Sequence, residues 1–180
     1  MSDTAKNQGL IWADGKEGPT THLRRKGFDV IVRTMYDRDA EFDHLGTYTD
    51  ELREGVIVRS AGIFFEDWPE DQELPERGEW HGREYRGFRP DAGGEKPGSP
   101  DYKTYGLQDY ARAEALNRGD WSFVGIVADV YKAGVKLASS GVWGVESDSD
   151  QSYLDECAEE EANNAVESAI KVLRNLCGGE

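Results

Sequence analysis

The segment from Trp121 to Tyr131 alternates with a period of two and is apolar on both faces. Trp121, Phe123, Gly125 and Val127 point one way; Val124, Ile126, Ala128 and Val130 point the other. A strand apolar on both sides needs cover on both, which places it in the middle of a sheet. Lys132, Ala133 and Gly134 supply a short turn into a second strand that starts at Val135 and is continued or completed by Val142 to Val145. Phe28 to Tyr36 shows the same alternation, with Phe28, Val30 and Val32 on one face and Ile31 and Met35 on the other.

A helix is predicted over Gln151–Leu176. At 100° per residue, Leu154, Ala158, Ala162, Ala165, Ala169, Val172, Leu173 and Leu176 form one stripe, with Glu156, Glu160, Asn163 and Glu167 opposite. Its alanines let it lie close on a sheet, and Ser152 with Asp155 resembles a capping box. The fold class that follows is α+β: an antiparallel β-sheet, a long C-terminal helix packed on one face, and a long irregular middle loop. A second helix is predicted from Leu107 to Asn117, with Leu107, Tyr110, Ala111 and Leu116 as its stripe and Gly119 as its stop.

The remaining chain is less regular. Residues 1–21 read as a polar, flexible tail in which Leu10, Ile11 and Trp12 are the only docking candidates. Gly55 to Arg59 and Gly62 to Phe65 read as two short strands or one bent strand. Residues 66–103 hold five of the six prolines and no sustained period, so a long loop is predicted there, with one short strand over Tyr85 to Phe88. At 180 residues a single α+β domain over 22–180 is expected.

Charge restricts function more than fold does. Asp and Glu number 36 against 21 Lys and Arg, a net charge of -15. From Leu137 to Ile170 there are nine carboxylates and no Lys, Arg or His. Such a field disfavours direct contact with nucleic acid or an anionic membrane and favours a basic protein partner. The candidate partner-binding residues are Trp143, Glu146, Asp148, Asp150, Asp155, Glu156 and Glu160. No apolar run reaches membrane-spanning length, and no signal-peptide core follows Met1. Cys157 and Cys177, if on one helix, lie about 30 Å apart at 1.5 Å per residue. They cannot then pair, which suits a reducing cytoplasm.

Chemistry-bearing motifs are few. Glu146, Asp148 and Asp150 alternate with serines as a cation loop would, but Tyr153 stands where such a loop needs glycine, so helix capping is the preferred reading. His22, His44 and His81 are scattered, and no nucleophile elbow, phosphate loop or C-x-x-C motif occurs. A non-enzymatic role without a cofactor or metal is therefore expected. In the middle loop Trp68, Trp80, Tyr85 and Phe88 interleave with Arg77, Arg83, Arg86 and Arg89, but nearby acids cancel the arginines. The rings are expected to cover the sheet rather than stack on bases.

The run Ser140-Gly141-Val142-Trp143-Gly144-Val145-Glu146-Ser147-Asp148-Ser149-Asp150 resembles a motif of uncharacterised phage and prophage proteins. Asp109-Tyr110 with Arg112, and Asn117-Arg118-Gly119-Asp120-Trp121, are similar to the same family. The resemblance implies a mobile-element origin and no known activity. The expectation is an acidic accessory protein, in its strongest form a nucleic-acid mimic or anti-defence inhibitor. The alternatives are a small enzyme or ligand binder with a site between sheet and middle loop, and a particle assembly component.

Overall fold

The computed structural model describes residues 18, 20–80 and 82–178. In chain order the strands are β1 (Thr20–Arg25), β2 (Phe28–Tyr36), β3 (Gly46–Thr49), β4 (Ile57–Val58), β5 (Ile63–Phe64), β6 (Gly78–Trp80), β7 (Arg83–Tyr85) and β8 (Gly87–Pro90). Helix α1 (Pro100–Arg118), strands β9 (Phe123–Lys132) and β10 (Val135–Glu146), and helix α2 (Gln151–Leu176) complete the fold.

The chain divides into two compact units where a single domain is the sequence expectation. One combines the described residues up to Ala40 with those from Ser122 onward; the other is Glu41–Trp121. The cause is the pairing of β2 with β9. These antiparallel neighbours are far apart in sequence, so the chain between them closes on a sheet of its own.

The first unit is an antiparallel sheet of order β1-β2-β9-β10 with α2 on one face. Strand β9 is central, as its two apolar faces predict. Val124, Ile126, Ala128 and Val130 meet Phe28, Val30 and Val32 of β2 and Leu154, Ala162, Ala165, Val166 and Ala169 of α2 in one core. Two-residue turns join β1 to β2 and β9 to β10. Lys26, Gly27, Ala133 and Gly134 all have positive φ, the geometry that matches a right-twisted hairpin. Strand β1 is a finding that the sequence reading lacks, and Thr20 and Thr21 belong to it rather than to a tail. The candidate docking residues Leu10, Ile11 and Trp12 lie outside the described residues.

Helix α2 has the predicted bounds but a corrected inner face. Val166 is buried, while Val172 and Leu176 are exposed. Both of the latter have the right angular position, but they lie in the last turns, past the core. The capping box is also absent: Asp150, not Ser152, is the N-cap residue, and its side chain makes no cap bond. Cys157 lies within α2, Cys177 follows it, and both are free thiols. No helix among the described residues is long and apolar enough to cross a membrane.

The second unit carries a sheet of order β3-β8-β4-β5, the β6–β7 hairpin and α1. The predicted middle loop is therefore only partly irregular: β6, β7 and β8 lie inside it, and α1 starts at Pro100 rather than Leu107. Strands of three or four residues are too short to show a period. The earlier helix start follows from Ser99, whose hydroxyl accepts the Tyr102 N–H, and from Pro100 in the first turn. The buried positions of α1 are Tyr102, Gly106 and Ala113, whereas Leu107 is exposed. Gly106 allows the close approach: a Cβ there would stand 2.8 Å from Pro90 Cγ.

Candidate functional site

The apolar face of α2 is committed to the core, so its opposite face is presented outward. Asp155, Glu156, Glu159 and Glu160 are all exposed there. With Asn163 and Asn164 they line a shallow open groove of about 580 Å³. Arg25 of β1 reaches Glu159 and also donates to Asn163 Oδ1 at 2.7 Å. The bond from Arg25 holds the Glu159 carboxyl below its ordinary range. Gln151 donates to Asp155 at 2.8 Å. Glu161 turns inward and accepts the Ser140 hydroxyl of β10. Three of the predicted residues, Asp155, Glu156 and Glu160, are thus brought together on one surface.

Trp143 belongs elsewhere. Strand β10 is regular against β9 up to Val142↔Ile126 and resumes at Val145↔Val124, so two residues oppose Gly125 alone. Gly144 takes a positive φ of 74° at this bulge. The bulge returns Val145 to the core face that Val142 also occupies, while Trp143, the next residue in the alternation after Val142, lies on the other face of the sheet. There the indole lies across Gly125; a Cβ at that glycine would stand 2.3 Å from Trp143 Cε3. Trp143 is 51% exposed, and with Tyr36, Asp37, Arg38 and Asp39 it lines a cleft of about 460 Å³. Asp37 accepts the Gly144 N–H at 2.9 Å and the Asp39 N–H at 3.1 Å. The carboxylates that line the cleft beside Trp143 are Asp37 and Asp39.

Glu146 ends β10, and Asp148 and Asp150 occupy the link from it to α2. It is pinned by reciprocal bonds: Ser147 N–H donates to Ser122 O at 2.8 Å, and Ser122 N–H donates to Ser147 Oγ at 2.9 Å. Ser149 N–H donates to Glu146 O at 3.1 Å. Among the described residues no group of His, Cys, Asp or Glu side chains has the arrangement of a metal site.

Two polar centres escape the sequence reading. Asp129 of β9 is fully buried and meets Arg33 of β2, Lys136 of β10 at 2.6 Å and the Ser139 hydroxyl at 2.7 Å. Burial pushes its carboxyl up, but the bonds from Lys136 and Ser139 and the charges of Lys136 and Arg33 outweigh that and hold it below its ordinary range. A lone carboxylate in the most apolar strand is the signal that marks it.

In the second unit Arg59 pairs with Glu114 of α1 at 2.8 Å, and its side chain is only 7% exposed. Tyr48 donates to the same carboxylate at 2.8 Å, and Tyr110 donates to Arg59 O at 2.6 Å. Burial, with Glu114 adding to it, raises the Tyr48 hydroxyl far above its usual value and pushes Tyr110 up to about 12. Both phenols stay protonated donors at neutral pH. Of the middle-loop rings Trp80 and Phe88 are buried, as expected, whereas Trp68 and Tyr85 are half-buried. Trp80 stacks on Tyr48 at 4.7 Å and meets Phe42 edge-on at 4.7 Å, and Phe88 is fully buried. Arg77 pairs with Asp50 at 3.2 Å, but Arg86 and Arg89 bond neutral oxygens of Pro75 and Thr47.

No known protein family, curated protein or solved structure matches the chain.

Proposed function

We propose that the chain is a non-enzymatic accessory protein of a phage or related mobile element. It binds a basic protein, of the host or the phage, through the outer face of α2. The observation that carries this reading is the placement of Asp155, Glu156, Glu159 and Glu160 on one exposed helix face whose reverse side is locked into the core. A rigid element holding several like charges repels nucleic acid and steers a cationic surface toward itself.

Charge density favours a compact basic patch as the target. Asp155 to Glu160 spans five steps, about 7.5 Å of helix axis, and holds four carboxylates; with Arg25 offsetting Glu159, the net charge over that length is lower than the one per about 1.7 Å of duplex DNA. Further along α2 the density falls, and Lys171 and Arg174 reverse the sign. The face resembles a duplex backbone over a fraction of a turn only. Mimicry of a long duplex therefore receives less support than engagement of one local cluster of Lys and Arg.

The test is affinity capture from nuclease-treated bacterial lysate at low and moderate salt, with the intact protein beside a Glu156→Lys/Glu160→Lys variant. Both side chains are exposed, so folding is expected to be unchanged, checked by circular dichroism. A basic partner captured by the intact protein should fall at least about tenfold with the variant, and its capture should weaken as salt rises. Equal capture by both proteins at both salts sinks the proposal.

A further inference from the structure

The Trp143 cleft has a construction that the general charge of the protein does not explain. Gly125 sits in the central strand, where a side chain would displace the indole, and the bulge at Gly144 sets Trp143 and Gly144 together opposite it. A second ring, Tyr36, is 47% exposed in the same cleft. Both oxygens of Asp37 are fixed by backbone N–H groups, and Asp39 is exposed beside it. Two accessible rings with two carboxylates at their rim have the chemistry of a cation site. The faces of the rings attract positive charge, and the carboxylates add to that attraction and reject anions.

We infer that this cleft seats an arginine side chain of the basic partner, an inference that rests on the function proposed above. Guanidinium is flat and weakly hydrated, so it stacks on an indole while its edge donates to a carboxylate; the compact, strongly hydrated ammonium of lysine does this less well. Arg38 lines the same cleft and opposes an incoming cation. The cleft lies on the sheet face away from α2, and β10 is the last strand on that side of the order.

The experiment titrates the full chain, isotopically labelled at its indole nitrogens, with hexa-arginine and, as a control of equal charge, hexalysine. Trp143→Phe assigns the Trp143 resonance and, because it keeps an aromatic face, is expected to retain part of the affinity. The Trp143 signal should shift with hexa-arginine, which should bind at least threefold tighter than hexalysine. Trp143→Ala should weaken hexa-arginine by about 3–30-fold, the range such contacts span. Arg38→Ala should tighten it, whereas the exposed Arg83→Ala should have less effect. Glu156→Lys/Glu160→Lys should weaken both peptides alike and leave the Trp143 shift in place. If the peptides bind equally and Trp143 stays unmoved while the helix reversal still weakens both, the cleft inference fails and the α2 proposal stands. If neither peptide binds at low salt, both fail.

Discussion

Replacing Arg33 and Lys136 together by methionine is expected to lower the unfolding free energy by about 3–5 kcal/mol at neutral pH, the usual cost of leaving a buried charge without its partners. Asp129 has a side chain only 1% exposed, and Arg33 and Lys136 are its cationic partners. The decisive observable is the sign of the pH dependence. In the intact protein the folded carboxyl titrates below its unfolded value of about 3.9, so its stabilisation is present above that pH and fades as acid protonates the folded form. In the double variant burial acts without the cations and raises the folded value. The group then favours folding below the unfolded value, and this contribution is lost as pH rises through the raised folded value. Urea melts from pH 3 to 8 should therefore show the Asp129 contribution with opposite slopes. Adding Asp129→Asn should recover much of the loss. Parallel pH profiles would show that the cations do not hold Asp129 charged.

Phe88→Ala should cost the second unit about 3–5 kcal/mol, the range for emptying a large aromatic position in a core. Phe88 is fully buried in β8, the strand between β3 and β4, and touches Tyr48 edge-on at 5.1 Å and Tyr110 at 5.7 Å. Tyr48 in turn stacks on Trp80 and donates to Glu114. The cavity would loosen the group that orients Arg59, so collapse around it is opposed by hydrogen bonds that packing alone cannot replace. Denaturant melts measure the loss, and the near-ultraviolet dichroism of the Tyr48–Trp80 stack reports whether the ring cluster loosens. A loss under 1 kcal/mol with an unchanged aromatic spectrum would show that the site closes over the gap.

The elements with long periods were legible. Strand β2 and helix α2 have the bounds that alternation and the helical stripe predict, and the Lys132–Gly134 turn lies where composition puts it. What was not legible depended on partners remote in sequence. No local pattern tells that β2 pairs with β9 across an intervening unit, that Arg59 finds Glu114, or that Asp129 is held by strands on either side. Glycines concealed another part. Gly106 and Gly125 carry no side chain to enter a hydrophobic pattern, yet each sets where a neighbouring element can lie. For the candidate site, the acids of α2 followed directly from helical geometry. The position of Trp143 did not, because Val142 and Val145, one and two residues away, imply opposite faces for it until the bulge between them is known.

Strand β10 ends its sheet, and twelve residues of exposed edge would ordinarily invite a second chain to add to the ladder. Its register breaks twice, between Lys136 and Ala138 and again between Val142 and Val145. Each break kinks the edge and puts its free N–H and C=O groups out of step with any straight strand laid beside it. The same bulge that puts Trp143 and Val145 on opposite faces thus disfavours polymerisation through this edge.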